Sequence, residues 1–287
     1  MSKRNFENEL NHFEKWLITL GYVKGTIKAR KRHVKRFLDF IAQHKIKDLT
    51  EINIQTLQQY QEAIEKLPLS VSSLSQHIGA LKLFDSYLLA YERPPIIQTH
   101  FKKYIHTTSE ISILSQKEIQ QLYLQTDHSL LGYRDRALLA IYYGCGLRAS
   151  EGKNLELNDL DFTKKLLQVR KSKTKTPRYV PMSEKVIHDL KEYIDYSRKL
   201  ILKVESTHLL VHGNGQYKHT TSLYNRVNYL LEKAHINKKI GLHSLRHSIA
   251  THLLENGMNL ESISQFLGHE SLETTQLYTH LKHKYAP

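Results

Sequence analysis

The stretch ERPPIIQTHFKKYIHTTSE, residues 92–110, carries the chain's only Pro-Pro pair and no apolar period, and it separates two regions that each have one. Prolines remove amide donors, and the residue before a proline is pushed out of the helical region, so no regular helix runs through Pro94 and Pro95. The pattern predicts two domains joined by a linker. The boundary is placed near residue 105, with a first domain over 1–105 that includes the start of the linker and a second over 106–287.

Ahead of the linker, apolar residues recur at helical spacing in four groups: Phe6, Leu10, Phe13, Leu17; Ile27, Val34, Leu38, Ile41; Ile54, Leu57, Ile64; and Val71, Leu74, Ile78, Leu81, Leu88. Gly21, Gly25, Thr50 and the LPLS at 67–70 punctuate them, which predicts a small all-α domain. After the linker, Ser115 followed by Glu118 reads as a capping box. LLGYRDRALLAIYYGCG is expected to be a helix capped in the left-handed conformation at Gly144. LLQVRKSKTKTPRYVPM reads as two extended runs around a basic turn, a β-hairpin. Helices follow over 183–202 and 221–236, with a short strand and turn between them, and three more helices end the chain. The expected fold class is mainly α, with a small β-hairpin or sheet in the second domain.

Charge narrows the partner. Forty-two Lys and Arg against 28 Asp and Glu leave +14, a balance that suits a polyanion because Lys and Arg that neutralise phosphates release condensed counterions. The second helix concentrates it: Lys28, Lys31 and Lys35 oppose the apolar stripe, with Arg30, Arg32 and Arg36 close by, and this face is either a solvated basic surface or a DNA contact. The N-terminus has no signal-type segment and no apolar run reaches the roughly 18 residues a membrane span needs, so a soluble, cytoplasmic, membrane-free protein is expected. The single cysteine, Cys145, excludes an intramolecular disulfide and reads as a small buried residue.

HSLRHSIATHLLENG, residues 243–257, raises a sharper question. His243 and His247 share a helix face, and the residues alone allow a zinc pair, a solvated polar face or a grip on phosphate. A metalloprotease-type site would place Glu after the first His, where this chain has Ser244. His252 reads as structural, and Leu245, Ile249 and Leu253 as the helix's core anchors.

Taken together, GCGLRASE at 144–151, SKTKTPRYVPM at 172–182, HSLRH at 243–247, LGH at 267–269 and TTQLYTHL at 274–281 resemble the ordered motifs of the tyrosine recombinases, the Xer and phage-integrase family. The resemblance covers essentially the whole chain. It implies an N-terminal helical core-binding domain and a C-terminal catalytic domain. It makes Tyr278 the nucleophile, Arg148 and Arg246 the phosphate-binding arginines, and Lys173 the hairpin lysine, with His243 and His269 at the two histidine positions. Glu151 is expected to orient an arginine or the hairpin, His247 to support the site without direct phosphate contact, and Lys175 and Arg178 to bind DNA beside Lys28, Lys31 and Lys35. The family's hairpin glycines are absent here, so Lys171 and Lys175 stand as alternatives to Lys173.

The chemistry asks for these residue types on its own terms. In-line attack on a phosphodiester builds negative charge on nonbridging oxygens, and an arginine fork can hold two of them. Tyrosine, with an ordinary pKa near 10, needs cationic neighbours or a base, and the leaving 5′-oxygen needs an acid. No metal or cofactor is expected, and no G-x-x-x-x-G-K-[ST] motif occurs. The resemblance implies site-specific recombination through a 3′-phosphotyrosyl intermediate on duplex DNA carrying a specific site, by a homotetramer, alone or with a partner recombinase. The alternatives are a type IB topoisomerase-like relaxing enzyme and a catalytically silent DNA-binding accessory protein. Only nine residues follow Tyr278, a short tail for a full exchanged helix, so subunit contact is expected through the nucleophile-bearing helix or the N-terminal domains.

Overall fold

Small polar residues start most of the helices. The side chains of Asn53, Ser70, Ser115, Ser129, Ser183 and Asn259 each accept the backbone N–H three residues on, satisfying a donor that the helix itself leaves unpaired. At Ser115 the Glu118 carboxylate returns a bond to the Ser115 amide, completing the capping box. The computed structural model describes residues 2–96, 112–170, 177–216 and 219–269, and the chain divides into two units, residues 1–109 and 110–287.

The first unit holds α1 (Ser2–Thr19), α2 (Lys24–Gln43), α3 (Ile54–Glu65) and α4 (Val71–Ala90), with a 3-10 turn at Leu49–Glu51. Their apolar stripes meet around Phe13, Phe37 and Phe84, all fully buried, with the rings of Phe13 and Phe84 edge to face at 5.3 Å. Ile54 and Val71, at the starts of their helices, stay exposed. One core position is polar: His77 is buried, and its two ring nitrogens pair with Tyr60 Oη and His33 Nδ1. Burial, with His33 and Arg36 nearby, pushes its pKa down to about 3. Helix α4 ends at Ala90, before Pro94.

In the second unit α5 (Gln116–Leu124) and α6 (Leu130–Leu139) lead into a π-helical turn, Ala140–Gly144. The left-handed residue that follows is Gly146, with φ +60°, rather than Gly144. After α7 (Ala149–Lys153), β1 (Leu160–Asp161), β2 (Leu166–Val169) and β3 (Arg178–Pro181) form an antiparallel sheet in that order, so the expected hairpin gains a third, two-residue strand. Helix α8 (Glu184–Glu192) continues through a π-helical turn into α9 (Lys199–Ile201), and β4 (Val211–His212) pairs with β5 (Gly215–Gln216). Helices α10 (Thr221–Lys233), α11 (Leu242–Glu255) and α12 (Leu260–Leu267) complete the described residues.

The core of this unit runs from the π-helical turn through Leu167, Val180, Leu190 and Tyr193 to Leu245. On α11 the deepest apolar anchors are Leu242, Leu245, Ala250 and Leu254, while Ile249 and Leu253 are half-buried. Cys145 is fully buried, and burial pushes its thiol up to about 12. No described helix is long and apolar enough to cross a membrane.

Candidate active site

Arg148 is the N-cap of α7, and its backbone N–H donates to Glu151 Oε2 at 2.9 Å. The Glu151 side chain is fully buried. Its oxygens also accept from Arg148 Nη1 at 2.8 Å and from both terminal nitrogens of Arg178, each at 2.9 Å. Burial alone would raise this carboxyl, but the bonds from Arg178 and from the Arg148 amide win, and its pKa falls to about 2. Glu151 therefore holds an arginine and the hairpin at once.

Arg246 comes from the buried side of α11. Its Nη1 donates to the Gly146 carbonyl at 2.7 Å and its Nη2 to the Leu267 carbonyl at 2.8 Å. The next carbonyl, Gly268, accepts from Arg148 Nη2 at 2.6 Å. These two acceptors lie at the C-terminal end of α12, where carbonyls lack intrahelical partners and carry the negative end of the helix dipole. Gly268 turns the chain with φ +67°, and its amide closes the helix end on Ser264. A β-carbon there would come within 2.6 Å of Arg178 Cδ.

His269 follows this turn, half-buried. Burial, then Arg246, Arg148, His247 and Arg178, hold its pKa down to about 4. His247 is likewise lowered to about 4 by burial, His243 and Arg246. Both imidazoles are neutral at pH 7, each with one N–H to donate and one nitrogen to accept. His243 stands exposed on the first turn of α11.

The structure thus brings Arg148, Glu151, Arg246, His247 and His269 around one point. Tyr278, Lys173 and Lys175 lie outside the described residues, as do Lys171 and the helix expected at 272–281. No group of three or more His, Cys, Asp or Glu able to hold a metal ion occurs among the described residues.

Three of the basic residues expected on DNA are engaged within the protein. Arg178 has both terminal nitrogens on Glu151, because it shares the inward strand face of the buried Val180. Its Nε is buried with no hydrogen-bond partner among the described residues. On α2, Lys31 reaches across to Asn11 and Glu14 on α1, and Lys35 pairs with Asp39 one turn on. Lys28 is exposed and makes no ion pair among the described residues, and the same holds for Lys24, Arg32 and Arg36, which stand one turn apart along the same helix.

Residue-type matching passed over the acceptors that aim the arginines, the carbonyls of Gly146, Leu267 and Gly268. The signal was present in the glycines of GCG and LGH, which mark sharp turns next to the motif arginine and histidine.

Residues 112–284 match the Phage integrase family, and residues 10–92 match the phage integrase N-terminal SAM-like domain. The chain belongs to the phage integrase family of tyrosine recombinases, whose members cleave and rejoin DNA. Within it, the chain is 33% identical over 264 residues to tyrosine recombinase XerC of Oceanobacillus iheyensis, covering 89% of this chain and 85% of the relative. It is 32% identical over 267 residues to tyrosine recombinase XerD of Staphylococcus saprophyticus, covering 91% and 89%. Among solved structures, XerH site-specific recombinase in a post-cleavage complex with palindromic difH substrate shares the fold, with a TM-score of 0.75 at 21% identity over 90% of this chain and 77% of that one. XerA recombinase is similar over 98% and 99%, with a TM-score of 0.54 and 26% identity.

Proposed function

We propose that this tyrosine recombinase exchanges DNA strands at a specific duplex site through a covalent 3′-phosphotyrosyl intermediate, with Tyr278 as nucleophile. The observation that carries the reading is the pair of guanidiniums, Arg148 and Arg246, anchored on the consecutive carbonyls of Gly268 and Leu267, which lead directly into His269. Two fixed forks and imidazole donors suit a phosphorane-like transition state, whose extra negative charge they stabilise more than the ground state.

In this reading Tyr278 Oη gives its proton to solvent water and attacks phosphorus, and the bond from phosphorus to the 5′-oxygen breaks. Lys173 supplies the proton that the leaving 5′-hydroxyl gains. The 5′-hydroxyl of the partner strand then reverses the step, and the phosphodiester bond energy is conserved in the phosphotyrosine. His243 and His269 donate to the nonbridging oxygens. Exchange of two duplexes needs four strand cuts, one per tyrosine, which favours a homotetramer on paired sites, alone or with a partner recombinase.

DNA reaches the N-terminal domain along α2. Lys24, Lys28, Arg32 and Arg36 at four-residue spacing make a cationic stripe about 18 Å long, at 1.5 Å per residue. Phosphates lie along a DNA strand at intervals of a few ångströms, so such a stripe can follow the backbone.

Recombinase relatives that match about nine-tenths of the chain disfavour a relaxing topoisomerase or a silent accessory protein. The test is a nicked suicide duplex carrying the site, mapped from the positions where the protein becomes covalently joined to genomic DNA. A denaturation-resistant adduct is expected, lost in Tyr278→Phe, and an adduct undiminished in that variant removes Tyr278 from the role. Joining that needs two sites separates recombination from relaxation.

A further inference from the structure

Arg178 opens β3, and it touches both Glu151 and the turn at Gly268. Its fork closes on both oxygens of Glu151 at 2.9 Å. Those same oxygens hold the amide and the guanidinium of Arg148. Its stem walls the Gly268 turn so closely that an added β-carbon would meet Cδ at 2.6 Å, Nε at 2.7 Å and Cζ at 2.9 Å. The carbonyl of that glycine is where Arg148 Nη2 rests.

Removal of Arg178 would leave a fully buried carboxylate short of two hydrogen bonds. Such a group takes its missing donors from whatever cation is in reach. The candidates are the two arginines of the site: Arg148, already bonded to it, and Arg246, with Nη1 3.9 Å from Oε2. Either would be pulled inward and its fork turned from the phosphate. The turn at Gly268 would at the same time lose the stem packed against it.

Resting on the assignment of Arg148 and Arg246 as phosphate-binding groups, we propose that Arg178 is a positioning residue for strand cleavage: it saturates Glu151 from the hairpin strand and braces the Gly268 turn, keeping both arginine forks aimed at the scissile phosphate. A lysine at this position reaches the carboxylate through one nitrogen and loses the two parallel bonds of the fork.

The experiment measures single-turnover adduct formation by the full chain on two nicked duplexes carrying the mapped site. One has an ordinary scissile phosphodiester, the other a methylphosphonate, in which a methyl group replaces a nonbridging oxygen and removes the charge the arginines neutralise. On the phosphodiester, Arg178→Ala and Arg178→Lys should both lose on the order of 10²-fold in rate, the cost of misplacing reacting groups by about 1 Å. On the methylphosphonate the deficit should shrink to about threefold, because little charge is left for the arginines to stabilise. Thermal melts of the variants accompany the rates, and Arg178→Lys, which keeps the stem and the charge, covers the case in which the alanine variant does not fold.

Equal deficits on both duplexes would mean general damage to the site and overturn the proposal. Full activity of Arg178→Lys would do the same, since one nitrogen does not reproduce the two parallel bonds of the fork. An active wild type with an equally active Arg178→Ala overturns the proposal alone, whereas no adduct from the wild-type chain overturns the recombinase assignment together with it.

Discussion

Arg246 Nη1 stands 3.9 Å from Glu151 Oε2, within ion-pair reach and beyond hydrogen-bond reach. The carboxylate steadies the charge of this guanidinium, while two backbone carbonyls, those of Gly146 and Leu267, fix its direction. Arg246→Lys keeps the charge and loses the two-point anchoring. Adduct formation on the suicide duplex should fall by about 10²- to 10³-fold, the usual cost of one transition-state donor, with gel-shift affinity nearly unchanged. A rate within about threefold of wild type would show that charge alone suffices at this position.

Glu151 makes a pH-dependent contribution to folding. Its folded pKa, about 2, lies below the ordinary carboxyl value of 4.5. The stabilisation is therefore fully present above pH 4.5 and is lost as pH falls through about 2. Glu151→Gln should lower stability by roughly 3 kcal/mol at pH 7. Urea denaturation of both proteins at pH 7 and pH 3 checks this, and a gap of the same size at both pH values contradicts it.

DNA should change the protonation of the site histidines. In the free chain, burial and then the neighbouring cations hold His269 and His247 down to about 4. A phosphodiester seated on Arg148 and Arg246 brings negative charge that offsets those cations, so both pKa values should rise on binding. Proton uptake then accompanies binding, and affinity increases as pH is lowered from neutrality toward 5. Imidazole NMR titrations of free and DNA-bound Tyr278→Phe protein read the shift directly. A pKa that stays put or drops in the complex would place the phosphate elsewhere.

The basic residues of α2 should fall into two groups. Arg32→Ala and Arg36→Ala remove charges that make no ion pair among the described residues, and each should reduce the slope of log affinity against log salt by about 1. Lys31→Ala and Lys35→Ala remove charges already matched by Glu14 and Asp39, and should change the slope less. Fluorescence anisotropy at several salt concentrations distinguishes the groups, and uniform slopes across all four variants would argue against the stripe.

Much of the helical fold is legible because its signals are local. The Ser115–Glu118 box and the Leu38 and Phe13 stripes each depend on residues within a turn or two. His77 is not, because a histidine within an apolar stripe is accepted only through partners on other helices, Tyr60 and His33. Strand β1, two residues long, is too short to show a period. The site divides in the same way. Arg148, Arg246 and His269 sit in recognisable local contexts, but the bond from Arg148 to Gly268 spans 120 residues, and no short window encodes it. Arg178 is the intermediate case: its type suggested a DNA contact, yet alternation with the buried Val180 already pointed it inward.

The end of α12 gives the two arginines a shared latch. Arg246 and Arg148 are pinned by adjoining peptide units, at Leu267 and Gly268, and the chain leaves that turn through His269 toward Tyr278. A movement of this one turn would remove one anchor from each guanidinium at once, leaving Arg246 on Gly146 and Arg148 on Glu151. Under the proposed assignment, a shift of the turn therefore loosens both phosphate-binding arginines in one step, and the two forks keep or lose their aim together.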